Sequence, residues 1–297
     1  MTYLPTPRGK LEQQGRLDNF TWFRTGGPAD WLFQPEDVDD LSAFLKELPQ
    51  DVPVLPIGVG SNMIVRTGGV EGVVIRLSKA FAKVEVEDGH RVRSGGRAMG
   101  IQTASAARDA GIAGLEFLSG IPGTAGGAVK MNAGAYGSET REYLVEATIV
   151  RRSGDVETLR PANLCFTYRH SNLAPGDIVV EALWKGRPGD PEEIGRRMDE
   201  INEARESTQP TRTQTGGSTF KNPDGQKAWQ LVDAAGCRGF EMNGAQVSEK
   251  HTNFLINTGE ATGDAIEDLG EEVRRRVKGD SGVELEWEIQ RVGRRAS

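Results

Sequence analysis

The stretch GLEFLSGIPGTAGGAVKMNAGAYG, residues 114–137, has seven glycines in 24 positions. Glycine lets a backbone approach another surface closely, so this stretch favours a loop that holds a flat ring or a diphosphate. The apolar residues Leu115, Phe117 and Ile121 argue against a loop that is exposed throughout. We therefore predict a ligand-binding loop here, and a surface loop without a ligand is the alternative.

A second glycine-rich loop, PIGVGSNMIV at residues 56–65, follows a predicted strand. It begins like the dinucleotide fingerprint GxGxxG, but Met63 stands at the third glycine and no helix follows. A Rossmann fold needs that helix to hold the pyrophosphate and is therefore disfavoured. Unhindered backbone N–H groups, together with Ser61 and Asn62, favour an anion-binding nest. A plain tight turn between strands is the alternative.

Composition narrows the classes of function. Glycine makes up 38 of 297 residues, and the net charge is -7 with a pI near 5.3. This acidic balance disfavours nucleic acid as a partner. Cys165 and Cys237 form no metal-binding spacing and the three histidines are scattered, so no metal is expected. No apolar run is long enough for a membrane helix, and the N-terminus has no signal-peptide pattern. We expect no membrane insertion and a cytoplasmic protein.

Periodicity and breaker residues predict alternating helices and strands. Helices are predicted at residues 38–48, 101–110, 191–207, 228–235 and 264–277. Strands are predicted at residues 52–55, 63–65, 73–77, 83–87, 90–93, 145–150, 178–185, 252–256 and 283–292. Asp88-Gly89 is predicted to form a hairpin turn with both residues at positive φ. Residues 1–18 are expected to be a loosely held arm, and the breaker-rich residues 207–218 to open a smaller C-terminal unit.

Three further segments carry side chains that suit a binding site. Arg169, within YRHS between two strands, has the fork geometry for a bidentate carboxylate contact, although a surface arginine is the alternative. The segment GGSTFKNP, residues 216–223, places a hydroxyl, an ammonium and an amide just after the boundary; a domain-entry turn is the alternative. In LEWEI, Glu286 and Glu288 share one face of a predicted strand, and a solvated strand edge is the alternative.

Taken in order, these segments resemble one family. The matching stretches, which span Asn19 to Gly293, are NFTWFRTGGPADWL, PIGVGSNMIV, residues 114–137, YRHSN, GGSTFKNP, GAQVSEKHTNFLIN and LEWEIQRVG. They resemble the bacterial UDP-N-acetylenolpyruvoylglucosamine reductases, which carry the FAD-binding domain of the vanillyl-alcohol-oxidase (PCMH) type. The resemblance implies an α+β fold: a two-subdomain PCMH-type FAD-binding module, residues 19–98 and 99–205, followed by a smaller α+β substrate-binding domain, residues 206–297.

The resemblance also implies a reaction in two halves. NADPH reduces FAD, and reduced FAD then passes hydride to the enolpyruvyl group of UDP-N-acetylglucosamine enolpyruvate, which gives UDP-N-acetylmuramate for peptidoglycan. No histidine stands at an obvious attachment point, so FAD is expected to be bound non-covalently. Two alternatives remain: an oxidase of the same flavin superfamily that passes electrons to oxygen, and a non-catalytic nucleotide-binding scaffold that has kept the fold.

Carried over by the family's motifs, three residues are expected to be catalytic. Arg169 and Glu288 match positions that bracket the substrate carboxylate, where negative charge develops when hydride adds to the methylene carbon. A neighbouring anion favours protonation of Glu288, which lets it donate a hydrogen bond to the enolate. Ser218 matches the proton donor; its hydroxyl is a weak acid, but the forming carbanion is a strong base.

The resemblance assigns binding roles to further residues of the same motifs. The expected cofactor-binding residues are Gly58, Gly60, Ser61, Asn62, Gly123, Thr124, Gly127, Asn132 and Gly134. Lys221 and Asn222 match positions near the nucleotide and phosphates of the substrate, and His251 is a further candidate there.

The sequence departs from the family pattern at three places. Trp287 stands where the family commonly has proline, and Thr219 where an aromatic residue is frequent. Between Arg169 and Pro210 there is no long, aromatic-bearing insertion that could fold over the nucleotide. The chain therefore resembles the subclass that lacks this substrate-covering loop.

Overall fold

The structure is a computed structural model that describes residues 4–296. The chain divides into two compact units. Unit 1 consists of the described part of Met1–Gln13 together with Trp31–Gly58 and Gly72–Ala204, and unit 2 consists of Gln14–Asp30, Val59–Glu71 and the described part of Arg205–Ser297. Each unit is therefore assembled from segments that are far apart in the sequence.

The described residues form strands and helices in alternation. The strands are β1 Lys10–Gly15, β2 Ala29–Gln34, β3 Val54–Pro56, β4 Met63–Val65, β5 Val70–Ile75, β6 Val84–Glu87, β7 Arg91–Gly95, β8 Ile112–Ala113, β9 Gly134–Ala135, β10 Ser138–Glu139, β11 Leu144–Val150, β12 Val156–Leu159, β13 Ile178–Lys185, β14 Arg187–Pro188, β15 Gln214–Ser218, β16 Glu241–Met242, β17 Ala245–Val247, β18 Phe254–Asn257 and β19 Gln290–Val292. The α-helices are α1 Val38–Glu47, α2 Gly100–Asp109, α3 Ala125–Lys130, α4 Thr140–Tyr143, α5 Pro161–Leu164, α6 Pro191–Thr208, α7 Ala228–Ala234 and α8 Gly263–Ser281. Short 3₁₀ helices occupy Asp18–Phe20, Lys79–Ala82 and Glu116–Gly120.

Unit 1 is built around a five-stranded antiparallel sheet in the order β12-β11-β13-β7-β6. Its apolar residues pack against α2 and α3 around the fully buried Trp184. A second core lies between α1 and the strands β2, β5 and β13, with Phe33 and Phe44 in ring contact. This packing explains why most of the glycine-rich stretch from Gly114 is half-buried or buried.

Unit 2 is a four-stranded antiparallel sheet, in the order β15-β18-β17-β16, that packs against α7 and α8. The long helix α8 begins with a cap, in which the Thr262 side chain accepts a hydrogen bond from the Ala265 N–H. It ends at Gly282, which has the left-handed φ of 73° that suits glycine after a helix. Strand β19 pairs in parallel with β4.

Several predicted elements are confirmed, and with them the α+β class. Strand β13 has the predicted bounds, and α1 lies within the helix predicted at residues 38–48 and ends just before Pro49. Asp37 caps α1 by accepting from the Asp40 N–H at 2.8 Å. Helix α2 is followed by Gly111 at a φ of 66°, as a glycine C-cap requires.

Two local predictions are wrong. The hairpin at Asp88-Gly89 exists, but its positive φ values are at Gly89 and His90, because three residues separate the paired Glu87 and Arg91. Of the strand predicted at residues 283–292, only the last three residues, β19, form a strand. The earlier part pairs with residues 219–221 through one bridge, between Phe220 and Trp287, and a few backbone hydrogen bonds. Because β19 pairs instead with β4, no continuous ladder forms.

The N-terminal segment is tied down where the structure describes it. Strand β1 joins the sheet of order β1-β2-β5-β3. The backbone N–H groups of Arg8 and Gly9 donate to the Asp40 carboxylate at 2.7 and 3.0 Å. Of this arm, Met1–Tyr3 lie outside the described residues.

Residues 4–296, the part of the chain that the structure describes, contain neither a membrane-spanning helix nor a metal-binding group of side chains. None of the helices in this range has the length and apolarity needed to cross a membrane. Within the same range, no three histidine, cysteine, aspartate or glutamate side chains are grouped so that they could hold a metal ion.

Candidate active site

In unit 1, Thr124 and two glycines form a backbone cradle. Thr124 precedes α3, and its hydroxyl accepts from the Gly127 N–H at 3.2 Å. A Cβ placed on Gly58 would lie 3.1 Å from the Thr124 Oγ1, and one on Gly127 would meet only that oxygen, at 3.5 Å. The backbone N–H groups of Gly58, Gly123 and Thr124 make no hydrogen bond to any residue that the structure describes. Unfilled space and available donors fit the close approach of an anionic or planar group, as FAD would require.

The next part of the glycine-rich stretch is a tight hairpin. Strands β9 and β10 are joined by Tyr136 and Gly137, both at positive φ. A Cβ on Gly134 would lie 2.8 Å from the Glu139 Cβ, so this glycine is required by strand pairing. The ligand-binding role predicted for Gly134 therefore has a second, purely structural explanation.

Asn132 is fully buried and uses its whole side chain inside the protein. Its Nδ2 donates to the Glu139 carboxylate at 2.9 Å and to the Thr167 carbonyl at 3.1 Å, and its Oδ1 accepts from the Arg141 N–H at 3.1 Å. Asn132 thus ties the hairpin to the segment that carries Arg169. This arrangement suits a positioning residue better than a direct ligand.

Arg169 stands at the tip of a tight turn. The N–H and carbonyl groups of Thr167 and His170 pair with each other at 3.1 and 3.2 Å, which leaves Tyr168 and Arg169 between them. Arg169 adopts a left-handed φ of 56°, and its guanidinium lies 5.0 Å from the centroid of the exposed Tyr168 ring. A residue other than glycine in this conformation is uncommon and is often found at functional sites.

In unit 2, the loop that contains Gly60, Ser61 and Asn62 lies against the C-terminal segment. A Cβ on Gly60, which has a φ of 58°, would lie 2.5 Å from the Phe20 carbonyl oxygen, so this glycine is needed for packing. Asn62 accepts from the Gln290 N–H at 3.1 Å and donates from its side chain to the Glu288 carbonyl at 3.2 Å. The loop is therefore fixed directly to the segment that carries Glu288.

The structure brings Ser218 and Glu288 onto directly hydrogen-bonded segments. The carbonyl of Thr219, the residue after Ser218, accepts from the Glu288 N–H at 2.8 Å. The Ser61 loop approaches the same place, because a Cβ on Gly217 would lie 3.7 Å from the Ser61 carbonyl oxygen. Glu288 is half-buried, whereas Glu286 is exposed. The alternative interpretation, in which both glutamates lie at a solvated strand edge, therefore fits only Glu286.

One positioning residue beside Ser218 was not predicted from the sequence. The buried Asn253 accepts from the Phe220 N–H at 2.9 Å and donates to the Phe220 carbonyl at 2.8 Å, and its own carbonyl accepts from the Thr219 N–H at 2.8 Å. It thereby fixes the two residues that follow Ser218. Asn253 could have been identified from the sequence, because it lies in the stretch HTNFLIN, which is part of a motif that resembles the family.

The three predicted substrate-binding residues occupy different environments in unit 2. The Lys221 ammonium pairs with Glu286 at 3.1 Å, and Asn222 accepts from the N–H of Ala228, the first residue of α7, at 3.0 Å. His251 is half-buried between aromatic rings, and this burial holds the pKa of its imidazole below its usual value. This lowered pKa favours the neutral form of His251.

Trp287, which replaces the family's proline, is accommodated by α8. Its indole N–H donates to Glu271 at 2.8 Å, and the Arg291 guanidinium lies 4.6 Å from the ring centroid. A Cβ on Gly270 would lie 2.1 Å from the Trp287 Cη2 atom, so the indole occupies the space that this glycine leaves.

Gly270→Ala is therefore expected to lower the free energy of unfolding. Alanine adds about 1 kcal/mol of helix propensity, but overpacking of the buried position 270 against the half-buried Trp287 ring typically costs about 1–3 kcal/mol. The matched control is Gly279→Ala in the same helix, where a Cβ would meet nothing within 4 Å. That variant should be stabilised, so urea unfolding should move the two midpoints in opposite directions. If the urea midpoints of both variants rose, the predicted collision of a Cβ at position 270 with the Trp287 ring would be wrong.

Comparison with known proteins identifies both parts of the chain. Residues 29–160 match a family model described as an FAD binding domain. Residues 209–292 match the model of the UDP-N-acetylenolpyruvoylglucosamine reductase C-terminal domain. The expected order, an FAD-binding module followed by a smaller C-terminal domain, is confirmed.

Relatives match over almost the whole chain. The UDP-N-acetylenolpyruvoylglucosamine reductase of Sphingopyxis alaskensis is 62% identical over 291 residues, which is 98% of this chain and 97% of that protein. The reductase of Erythrobacter litoralis is 62% identical over 97% of this chain and 89% of its own length. The crystal structure of the reductase (MurB) from Thermus caldophilus, 34% identical, superposes with a TM-score of 0.83 and covers 97% of this chain and 100% of its own. The chain therefore belongs to the UDP-N-acetylenolpyruvoylglucosamine reductase family.

Proposed function

We propose that this protein reduces the enolpyruvyl ether of UDP-N-acetylglucosamine enolpyruvate to UDP-N-acetylmuramate, with FAD as the carrier and NADPH as the electron source. Family membership supports the reductase activity. The observation in the structure that carries the proposal is the hydrogen bond between the Thr219 carbonyl and the Glu288 N–H. It holds the segment of the proposed proton donor, Ser218, next to the segment of the proposed glutamate, Glu288.

Bound FAD would supply the two-electron step, the transfer of hydride to the methylene carbon of the enolpyruvyl group. The protein must then stabilise and protonate the carbon next to the carboxylate, where negative charge develops. We assign the proton transfer to the Ser218 hydroxyl. The product carbon is far less acidic than an alcohol, so this transfer runs downhill, and solvent returns the proton to Ser218.

We assign charge stabilisation to Arg169 and Glu288. Arg169 carries a planar guanidinium that can hold both oxygens of a carboxylate. Its turn is fixed by the pairing of Thr167 with His170 and by Asn132, so the side chain starts from a defined backbone position. Glu288 is half-buried, and its protonated form would donate to the developing enolate.

We divide the binding roles between the two glycine-rich loops and the C-terminal domain. The cradle of Gly58, Gly123, Thr124 and Gly127 is proposed to hold FAD non-covalently through backbone donors. The loop from Gly60 to Asn62 is proposed to serve the same cofactor. Lys221, Asn222 and His251 are proposed to lie toward the nucleotide of the substrate. In this proposal, residues 19–98 and 99–205 bind the cofactor and residues 206–297 bind the substrate.

The product would be a precursor of peptidoglycan. We therefore propose that the protein works in the cytoplasm in support of cell-wall synthesis, and through it of cell shape and division. The family's place in peptidoglycan synthesis supports this role.

An anaerobic titration of the FAD-loaded protein tests the proposed function. NADPH should bleach the flavin absorbance, and UDP-N-acetylglucosamine enolpyruvate added afterwards should restore it with one equivalent of UDP-N-acetylmuramate formed. Rapid restoration by air without the UDP-sugar would favour an oxidase. Binding of the UDP-sugar without any NADPH oxidation would favour a non-catalytic scaffold, and either result would overturn the proposal.

A further inference from the structure

An exposed tryptophan lies at the end of a row of rings in unit 2. Trp229, on the first turn of α7, is 38% exposed, although large aromatic side chains are usually covered. Its ring centroid lies 6.3 Å from that of His251, and the His251 centroid lies 4.8 Å from that of Phe254 in an edge-on contact. The three rings thus run from the protein interior to the surface.

The inner end of this row lies beside the proposed proton donor. Phe254 is the direct partner of Ser218 in the antiparallel pairing of β15 with β18. Residues that lie opposite each other in such a pair project from the same face of the sheet. The row of rings therefore begins on the face of the sheet from which the Ser218 side chain projects.

The outer end lies beside the residues proposed to meet the nucleotide. Asn222 accepts from the N–H of Ala228, which immediately precedes Trp229, so the loop that carries Lys221 and Asn222 is fastened to the start of α7. The Thr252 hydroxyl donates to the Trp229 carbonyl at 2.5 Å and fixes the backbone of the tryptophan.

We infer that Trp229 is the stacking platform for the uracil base of the substrate. The inference rests on the proposed function, because it takes the substrate to be a UDP-sugar whose reacting end lies at Ser218. The indole is 38% exposed and its ring lies at 59° to that of His251, so a planar base can stack on its exposed surface. The chain resembles the subclass without an aromatic loop over the nucleotide, and Trp229 supplies an aromatic group from the domain itself.

Trp229→Ala in the FAD-loaded enzyme tests this assignment. Loss of one stacked base is expected to weaken UDP binding, measured by calorimetry, and to raise KM for the enolpyruvyl substrate by about 5- to 150-fold. The binding of inorganic pyrophosphate and the reduction of the flavin by NADPH should not change. Trp229→Phe should restore most of the affinity for UDP, because any aromatic face can stack.

The matched control is Gln230→Ala, at the exposed residue of α7 that follows Trp229, which should bind UDP like the wild type. Wild-type affinity for UDP in Trp229→Ala would overturn the inference. An equal loss of UDP and pyrophosphate binding would also overturn it, because the effect would then not belong to the base. If the wild-type enzyme fails to turn over the enolpyruvyl substrate, the proposed function is wrong. The two failures are distinguishable, because the UDP-binding measurements do not depend on turnover.

Discussion

Ser218→Ala is expected to slow the reoxidation of the reduced flavin by UDP-N-acetylglucosamine enolpyruvate by about 10²–10⁴-fold, the range typical of a lost general acid. Ser218 ends β15 at an irregularity in the pairing with β18, and the next residue is held by Asn253 and Glu288. Removal of the hydroxyl should leave this backbone arrangement intact, because the hydrogen bonds that hold residues 219 and 220 are made by main-chain groups and by the Asn253 side chain. The reduction of the flavin by NADPH should therefore proceed at the wild-type rate.

Stopped-flow measurement of the two half-reactions separates this role from a general defect. Ser218→Cys keeps a transferable proton on the side chain and should recover part of the second half-reaction. Ser281→Ala removes an exposed hydroxyl at the end of α8 in the same unit and should leave both half-reactions unchanged. Equal slowing of both half-reactions in Ser218→Ala would remove Ser218 from the role of proton donor.

Arg169→Lys is expected to slow the same half-reaction by about 10- to 100-fold, because one charge-assisted hydrogen bond of a bidentate pair is lost while the charge remains. Both residues have the same preference for the left-handed backbone that Arg169 adopts, so the substitution tests the side chain without changing the strain of the turn. The affinity for the substrate carboxylate should fall together with the rate. Reduction by NADPH should again be spared.

Arg160→Lys provides the matched comparison for this prediction. Arg160 is exposed in the same unit and immediately precedes the short helix α5. It should behave like the wild type in both half-reactions. Normal turnover in Arg169→Lys would show that a bidentate contact with the substrate is not needed.

The sequence predicted those elements whose signals are local. Apolar periodicity predicted α1 at residues 38–48, and Pro49 interrupts the helix after them. Gly111 ends α2 because glycine tolerates positive φ. The segment after Leu285 could not be predicted in this way. Its alternation of apolar and polar residues is typical of one strand, but its two halves find different partners in residues 219–221 and in β4.

The glycines of the proposed site also show what the sequence can predict and what it cannot. Their abundance pointed to close backbone approaches, but the sequence did not distinguish approach to a ligand from approach to the protein itself. Gly60 and Gly134 are required by neighbouring backbone or strand residues, whereas Gly58 and Gly127 face Thr124 and otherwise unfilled space. Only the tertiary structure separates these two groups, because the separation depends on which atoms stand beside each glycine.

By itself, the sequence determined the α+β class, the order of the motifs and, through that order, the family. These properties follow from local periodicity, turn chemistry and the identity of residues along the chain. The tertiary structure decided which residues meet: Asn132 with Thr167, Asn62 with the Glu288 carbonyl, Gly270 with Trp287, and Trp229 with His251. Such contacts join residues distant in sequence, and they arise because folding buries apolar surface collectively, which no single segment of the chain encodes.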